Sequence, residues 1–115
     1  MFPLKNINSL KNTEEFKKVY HNGKSVANRL LIVYVLKEPG PVRIGISVSK
    51  KVGNSVVRHR VTRLIREAYI SIKEEIPENT KIIVIAKKSC ADKNEKDIES
   101  ALCYALRKHG IIKNG

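Results

Sequence analysis

Between Arg43 and Arg66 the chain carries Lys50, Lys51, Arg58, Arg60, Arg63 and Arg66, and not one Asp or Glu. At about 100° per residue, His59, Thr62, Arg63 and Arg66 fall on one side of a helix, with Arg58 and Arg60 on its flanks. A guanidinium is a planar, multi-donor group that matches phosphate oxygens better than an ammonium does. A helix face that merely meets water interleaves both signs, because opposite charges one turn apart stabilise it and like charges do the reverse. Here only Glu67, one turn after Arg63, relieves the repulsion. The counter-charge must therefore come from outside, and an RNA or DNA backbone is the simplest one. His59, on the same ridge, is placed to touch it.

Bond-breaking chemistry finds much less support. Acid–base catalysis needs titratable groups that converge, yet Asp92 and Asp97 lie near or in the last helix, and Glu67 stands alone beside the ridge. A two-metal nuclease would want several carboxylates there. His21, His59 and His109 are scattered and read as surface histidines. Gly45 and Gly53 match no phosphate-cradling motif. Cys90 and Cys103 have no partners at metal-ligand spacing and read as free thiols of a reducing cytoplasm. No catalytic residue and no metal ligand is assigned; the residues support binding.

The elements that must hold this ridge follow from periodicity. With 115 residues the chain is expected to form a single domain, 1–115, and Lys plus Arg outnumber Asp plus Glu by 23 to 11 for a net charge of +12, the footprint of a nucleic-acid binder. No stretch has the length of a membrane span or the pattern of a signal peptide, so a soluble, cytoplasmic protein without membrane contact is expected. Val57, Val61, Leu64, Ile65, Ala68 and Ile72 form the apolar stripe beneath the ridge, and Asn54 or Ser55 can cap its first turn.

An earlier helix is predicted from Asn12 or Thr13, opened by an Asn12–Glu15 capping box, to Asn22, with Gly23 as a left-handed terminating residue. Phe16, Val19 and Tyr20 share one of its faces, as core or as a binding surface. Residues 1–11 read as an extended arm. RLLIVYVL (29–36) reads as a central strand covered on both faces. Val42–Ser49 alternates, with Arg43, Gly45, Ser47 and Ser49 leaving a shallow, uncrowded face, and the short Glu38–Pro41 turn predicts a hairpin between the two strands. KIIVIAK (81–87) is a further buried strand. Asp92 and Glu95 can cap a last helix with the stripe Ile98, Ala101, Leu102, Ala105 and Leu106, closed at Lys108–Gly110. The expected class is α+β, with helices packed on a sheet in a two-layer sandwich.

The stretch SKKVGNSVVRHRVTRLIREAY resembles the signature of the protein subunit of bacterial ribonuclease P, approximately K-x-G-x-A-V-x-R-N-x-x-K-R-x-x-R-E. Lys51, Gly53, Val56, Arg58, Arg63, Arg66 and Glu67 match it; His59 stands where Asn is usual, Thr62 where Lys is usual, and Ser55 replaces Ala. LKNTEEFKKVYHNGKSVANR is similar to the family's first helix and strand, and RIGISVSKK to the strand before the signature. The resemblance covers most of the chain up to about Lys88; beyond it the last helix matches in pattern only. It implies the order α-β-β-β-α-β-α, a mixed sheet of about four strands, and a left-handed β-α-β crossover, although general base rates favour the right hand.

It also implies an endonucleolytic ribonucleoprotein that removes the 5′ leader of precursor tRNA. The chemistry would be carried by the RNA with magnesium, and the protein would need no cofactor of its own and no protein partner. On the matching surface Lys50, Lys51, Asn54, Arg58, His59, Arg60, Thr62, Arg63 and Arg66 would contact the catalytic RNA. Phe16, Lys17, Tyr20 and Tyr34 would hold the single-stranded leader. The other readings are a ribosomal-type RNA-binding protein, in which the aromatics are packed core, and a stand-alone nuclease, which the missing carboxylates disfavour.

Overall fold

The computed structural model describes Leu10 and residues 13–113. The predicted arm and the Asn12 capping box lie outside the described residues, Leu10 apart. In chain order the elements are α1 (Thr13–Asn22), β1 (Lys24–Ala27), β2 (Leu31–Lys37), β3 (Arg43–Ser47), α2 (Ser55–Ile72), β4 (Thr80–Ala86) and α3 (Glu95–Lys108), with short 3-10 turns at Lys73–Glu75 and Lys88–Asp92. The α+β class and the element order are those expected.

The two strands richest in β-branched residues pair at the centre. The sheet order is β1-β2-β4-β3, with β2 antiparallel to β1 and β4, and β3 parallel to β4. The expected β2–β3 hairpin does not form, because β4 lies between them. Its physical reason is burial: every residue from Thr80 to Ala86 except Ile85 is buried, so this strand takes the interior position and displaces β3 to the edge. The strand–helix–strand segment β3-α2-β4 is then the parallel crossover.

Side-chain alternation divides the sheet into two faces. Leu31, Val33, Val35, Ile44, Ile82 and Val84 pack with Val61, Leu64, Ile65 and Ala68 of α2 and Ile98, Leu102, Ala105 and Leu106 of α3 in the main core. Val61 and Ile65 are fully buried, and each such side chain contributes about 1.5–3 kcal/mol. The stripe read from the sequence is the buried one, joined by Tyr69, which periodicity alone had not singled out. The other face carries a smaller cluster in which Val19 of α1 and Leu10 meet Ile83, with Phe16, Tyr20, Tyr34, Leu36 and Ile85 half-buried around them. Thus α2, α3 and the sheet make the sandwich, while α1 leans across part of the sheet's second face. β2 is covered fully on one face and only partly on the other.

Local signals are corrected at two ends. Gly23 does not have a left-handed backbone; it must be glycine because a Cβ there would lie 2.6 Å from the Val19 carbonyl oxygen and 2.8 Å from that of Val35. The last helix is capped by Asn94, whose Oδ1 accepts from the Asp97 N–H at 2.9 Å, and not by Asp92, which belongs to the preceding turn. At its far end Gly110 takes the left-handed conformation, φ 76°, as the stop signal predicts. Between β2 and β3, Lys81 is buried and its Nζ donates to the carbonyls of Pro41 (2.8 Å) and Glu38 (3.3 Å), which closes that connection over β4.

Candidate nucleic-acid interface

Helix α2 begins where the sequence places it. Asn54 Oδ1 accepts from the Val57 N–H at 3.0 Å, satisfying a free donor of the first turn. The core-facing stripe then fixes the helix in rotation, so the opposite side chains have no freedom to turn inward. His59 and Arg63 are exposed, as are Lys50, Lys51 and Asn54; Arg58, Arg60, Thr62 and Arg66 are half-buried. Among the described residues none of Arg58, His59, Arg60, Arg63 or Arg66 is paired with an acid: the ion pairs are Lys18–Glu38, Arg43–Glu15 and Lys93–Asp92. The charge of the ridge is not neutralised by any acid among the described residues.

Its members do different work. Arg58 Nε donates to the Gly53 carbonyl at 3.2 Å, which folds the side chain back over the helix start. Thr62 Oγ1 donates to the Arg58 carbonyl one turn earlier at 2.8 Å. Arg60 is a brace: its guanidinium donates to the carbonyls of Ala91 (3.2 Å) and Lys93, pinning the turn after β4 to the helix flank. Val56, 76% exposed, puts an apolar side chain in the first turn among these cations, a feature that spacing alone did not mark.

The aromatic residues form a second site on the α1 side of the sheet. Strand register sets Ser25, Tyr34, Ile83 and Gly45 in one row across that face and Ala27, Ile32, Ile85 and Ser47 in the next. Phe16 rests on Gly45, where an added Cβ would come within 2.5 Å of its ring. The expected uncrowded face is therefore filled at Gly45 and open only from the next row onward. Tyr20 stands edge-on to Tyr34, with ring centroids 5.0 Å apart and planes at 86°, and 6.3 Å from Phe16. Burial, and then the neighbouring Tyr34 phenol, push the Tyr20 hydroxyl above its ordinary pKa, so it stays a neutral donor at physiological pH. The three rings are half-buried and pack with Leu10, Val19 and Ile83, one row from Ala27, Ile32, Ile85 and Ser47 on the same face. Lys17 is not part of this group. It is exposed and borders a cavity of about 530 Å³ with Lys18, His21, Glu38 and Lys81, which none of the three aromatics lines.

The fold and much of the sequence are shared by known proteins. The family model for ribonuclease P matches residues 4–110. The chain belongs to the ribonuclease P protein family. The ribonuclease P protein component of Alkaliphilus oremlandii is 44% identical over 112 residues, covering 96% of this chain and 98% of that one; that of Lachnoclostridium phytofermentans is 48% identical over 107 residues, covering 92% of each. Among solved structures, the ribonuclease P protein of Staphylococcus aureus superposes with a TM-score of 0.84 at 34% identity, covering 94% of this chain and all of that one. The chain is thus the RNA-binding protein subunit of ribonuclease P, part of a ribonucleoprotein enzyme of tRNA processing whose RNA is its partner. The family membership sets aside the ribosomal-type reading.

No helix among the described residues is long and apolar enough to cross a membrane. The described side chains also offer no cluster of three or more His, Cys, Asp or Glu that could hold a metal ion.

Proposed function

We propose that this subunit clamps two RNA segments at once, the folded catalytic RNA on α2 and the single-stranded 5′ leader of precursor tRNA in the groove beneath α1. The observation that carries the reading is the half-buried cluster of Phe16, Tyr20 and Tyr34 on the α1 face of the sheet, next to the row Ala27, Ile32, Ile85 and Ser47. Rings with one free face accept any base, since every base has a π-face, at about 1–3 kcal/mol per stacked base. Leaders differ in sequence, and such a surface tolerates that.

On the ridge, Lys50, Lys51, His59 and Arg63 reach phosphates directly, with Asn54, Arg58, Thr62 and Arg66 beside them and Arg60 keeping the adjoining turn in place. The protein supplies position and charge neutralisation; the RNA, with its own magnesium, cleaves the bond. The subunit needs no further protein partner and works in the cytoplasm. The test is precursor-tRNA cleavage at low magnesium by the ribonuclease P RNA of the same organism, with and without the protein. Strong stimulation at low magnesium is expected. Equal rates with and without the protein would overturn the reading, as would cleavage by the protein alone.

A further inference from the structure

Helix α3 buries Ile98, Leu102, Ala105 and Leu106, which turns Ser100, Tyr104 and Lys108 to its other side, each one helical turn from the next. All three are exposed, and Tyr104 keeps 48% of its surface open. The helix packs on β1 and β2, whereas α2 packs on β3. With the sheet order β1-β2-β4-β3, α3 therefore borders the β1 edge. That edge lies three strand spacings of about 4.8 Å from the strand under the ridge helix. Its sheet face is the one opposite the rings of α1.

A cavity of about 530 Å³ opens between α3 and the turn from β1 to β2, lined by Ala27, Arg29, Leu30, Ser100, Ala101 and Tyr104 around Asn28. That volume is in the ordinary range of ligand pockets. Asn28 holds its two sides together: Oδ1 accepts from the N–H groups of Leu30 (3.0 Å) and Leu31 (2.9 Å), and Nδ2 donates to the Ala101 carbonyl at 2.9 Å. Lys87 Nζ donates to the Asn28 carbonyl at 2.7 Å, and Ser89 Oγ to that of Arg29, so the turn is fixed from the β4 side as well. The lining combines small aliphatic groups, one aromatic ring and the exposed Arg29, which no ion pair holds among the described residues. A second cation, Lys108 Nζ, lies over the Tyr104 ring at 5.6 Å from its centroid, within cation–π reach. No acid lines the cavity; Asp97 sits in the first turn of α3, one turn before Ala101.

We propose that this cavity is a nucleobase slot: one unpaired base stacks on Tyr104, on the ring face that Lys108 leaves, and the phosphate joined to its ribose pairs with Arg29. A base stacks on an aromatic ring whatever its identity, and the aliphatic walls suit its flat, apolar faces. An apolar side chain from a protein partner would fill the same space but would leave the two cations without a counter-charge. A nucleotide brings one. Neither the ridge nor the Phe16, Tyr20 and Tyr34 cluster lines the slot, so it holds a base independently of both.

The chain contains no tryptophan, so Tyr104→Trp places a single fluorophore in the slot and keeps a stacking surface. Tyr104 and Arg29 are exposed, and substitution of either leaves the fold intact. The full-length Tyr104→Trp protein is titrated with AMP, with a single-stranded adenosine hexanucleotide and with an abasic strand of the same length. Saturable quenching by the two base-bearing probes is expected, and none by the abasic strand. Hexanucleotide binding tighter than its number of bases explains statistically assigns the slot to an RNA strand; otherwise it belongs to a free nucleotide, and both results uphold it. Adding Arg29→Ala should lower the log–log salt slope of hexanucleotide quenching by about 0.7, so that over a fourfold rise in salt this variant loses about 2.6-fold less affinity. Absence of quenching by every probe overturns the proposal and leaves the cavity to another class of partner. Equal quenching by the abasic strand, or a titration that Arg29→Ala does not change, overturns it too.

Discussion

Arg60 and Arg63 lie less than a turn apart on α2, and the structure predicts opposite consequences of removing them. Arg63 is exposed and has no ion pair or hydrogen bond among the described residues. Arg63→Ala should therefore leave folding within about 0.5 kcal/mol of wild type. It should remove one phosphate contact, lowering the salt slope of binding to the ribonuclease P RNA by about 0.7–0.9. Over a fourfold salt increase, that makes the wild type about threefold more salt-sensitive than the variant.

Arg60 instead donates to the carbonyls of Ala91 and Lys93. Hydrogen bonds from a charged donor contribute about 1.5–3 kcal/mol, and the half-exposed geometry argues for the lower figure. About 1.5 kcal/mol corresponds to about 6–12 °C in Tm for a domain near this size. Arg60→Ala should melt that much earlier and change the salt slope less than Arg63→Ala does. Thermal melts and salt titrations of the two variants, side by side, decide the matter. An unchanged slope for Arg63→Ala would mean the ridge does not meet phosphates, and a wild-type melt for Arg60→Ala would mean the brace holds nothing.

Tyr20→Ala should weaken binding of precursor tRNA by about 1–3 kcal/mol, about 5- to 150-fold, and leave mature tRNA unaffected; equal losses on both would remove the leader from the groove. Gly23→Ala forces a Cβ against two backbone carbonyl oxygens, neither able to swing aside, and should cost about 1–3 kcal/mol or more in a urea denaturation; a loss near zero would refute the close-approach explanation. Burial pushes the Cys90 thiol above its ordinary range, and the Tyr69 and Tyr20 phenols likewise. The folded chain thus holds these protons more tightly than the unfolded one, so the stability they contribute is complete below the unfolded values and lost as pH rises through the folded ones. The stability gap between wild type and Cys90→Ala should shrink as pH climbs past about 8.5; a gap independent of pH would show that the thiol does not titrate with folding.

The amino-acid sequence was enough for the ridge, its apolar underside, its Asn54 cap and the last helix's stripe. Each is a repeat within one helix, and a helix fixes neighbours three and four residues apart by its own geometry. The signature from Lys51 to Glu67 carried the family for the same reason, since its residues are contiguous.

What the chain could not reveal by itself was long-range pairing. β4 slips between β2 and β3 because it is the most completely buried strand, a competition among strands that no local turn records. Only that insertion lines up Tyr34, Ile83 and Gly45, lets Phe16 settle on the glycine, and brings the two aromatics of α1 against the sheet beside Tyr34. Arg60 looked like its neighbours until the turn after β4 came to rest on it. Spacing can tell which way a side chain faces on its own element. What it faces depends on which strands win the interior.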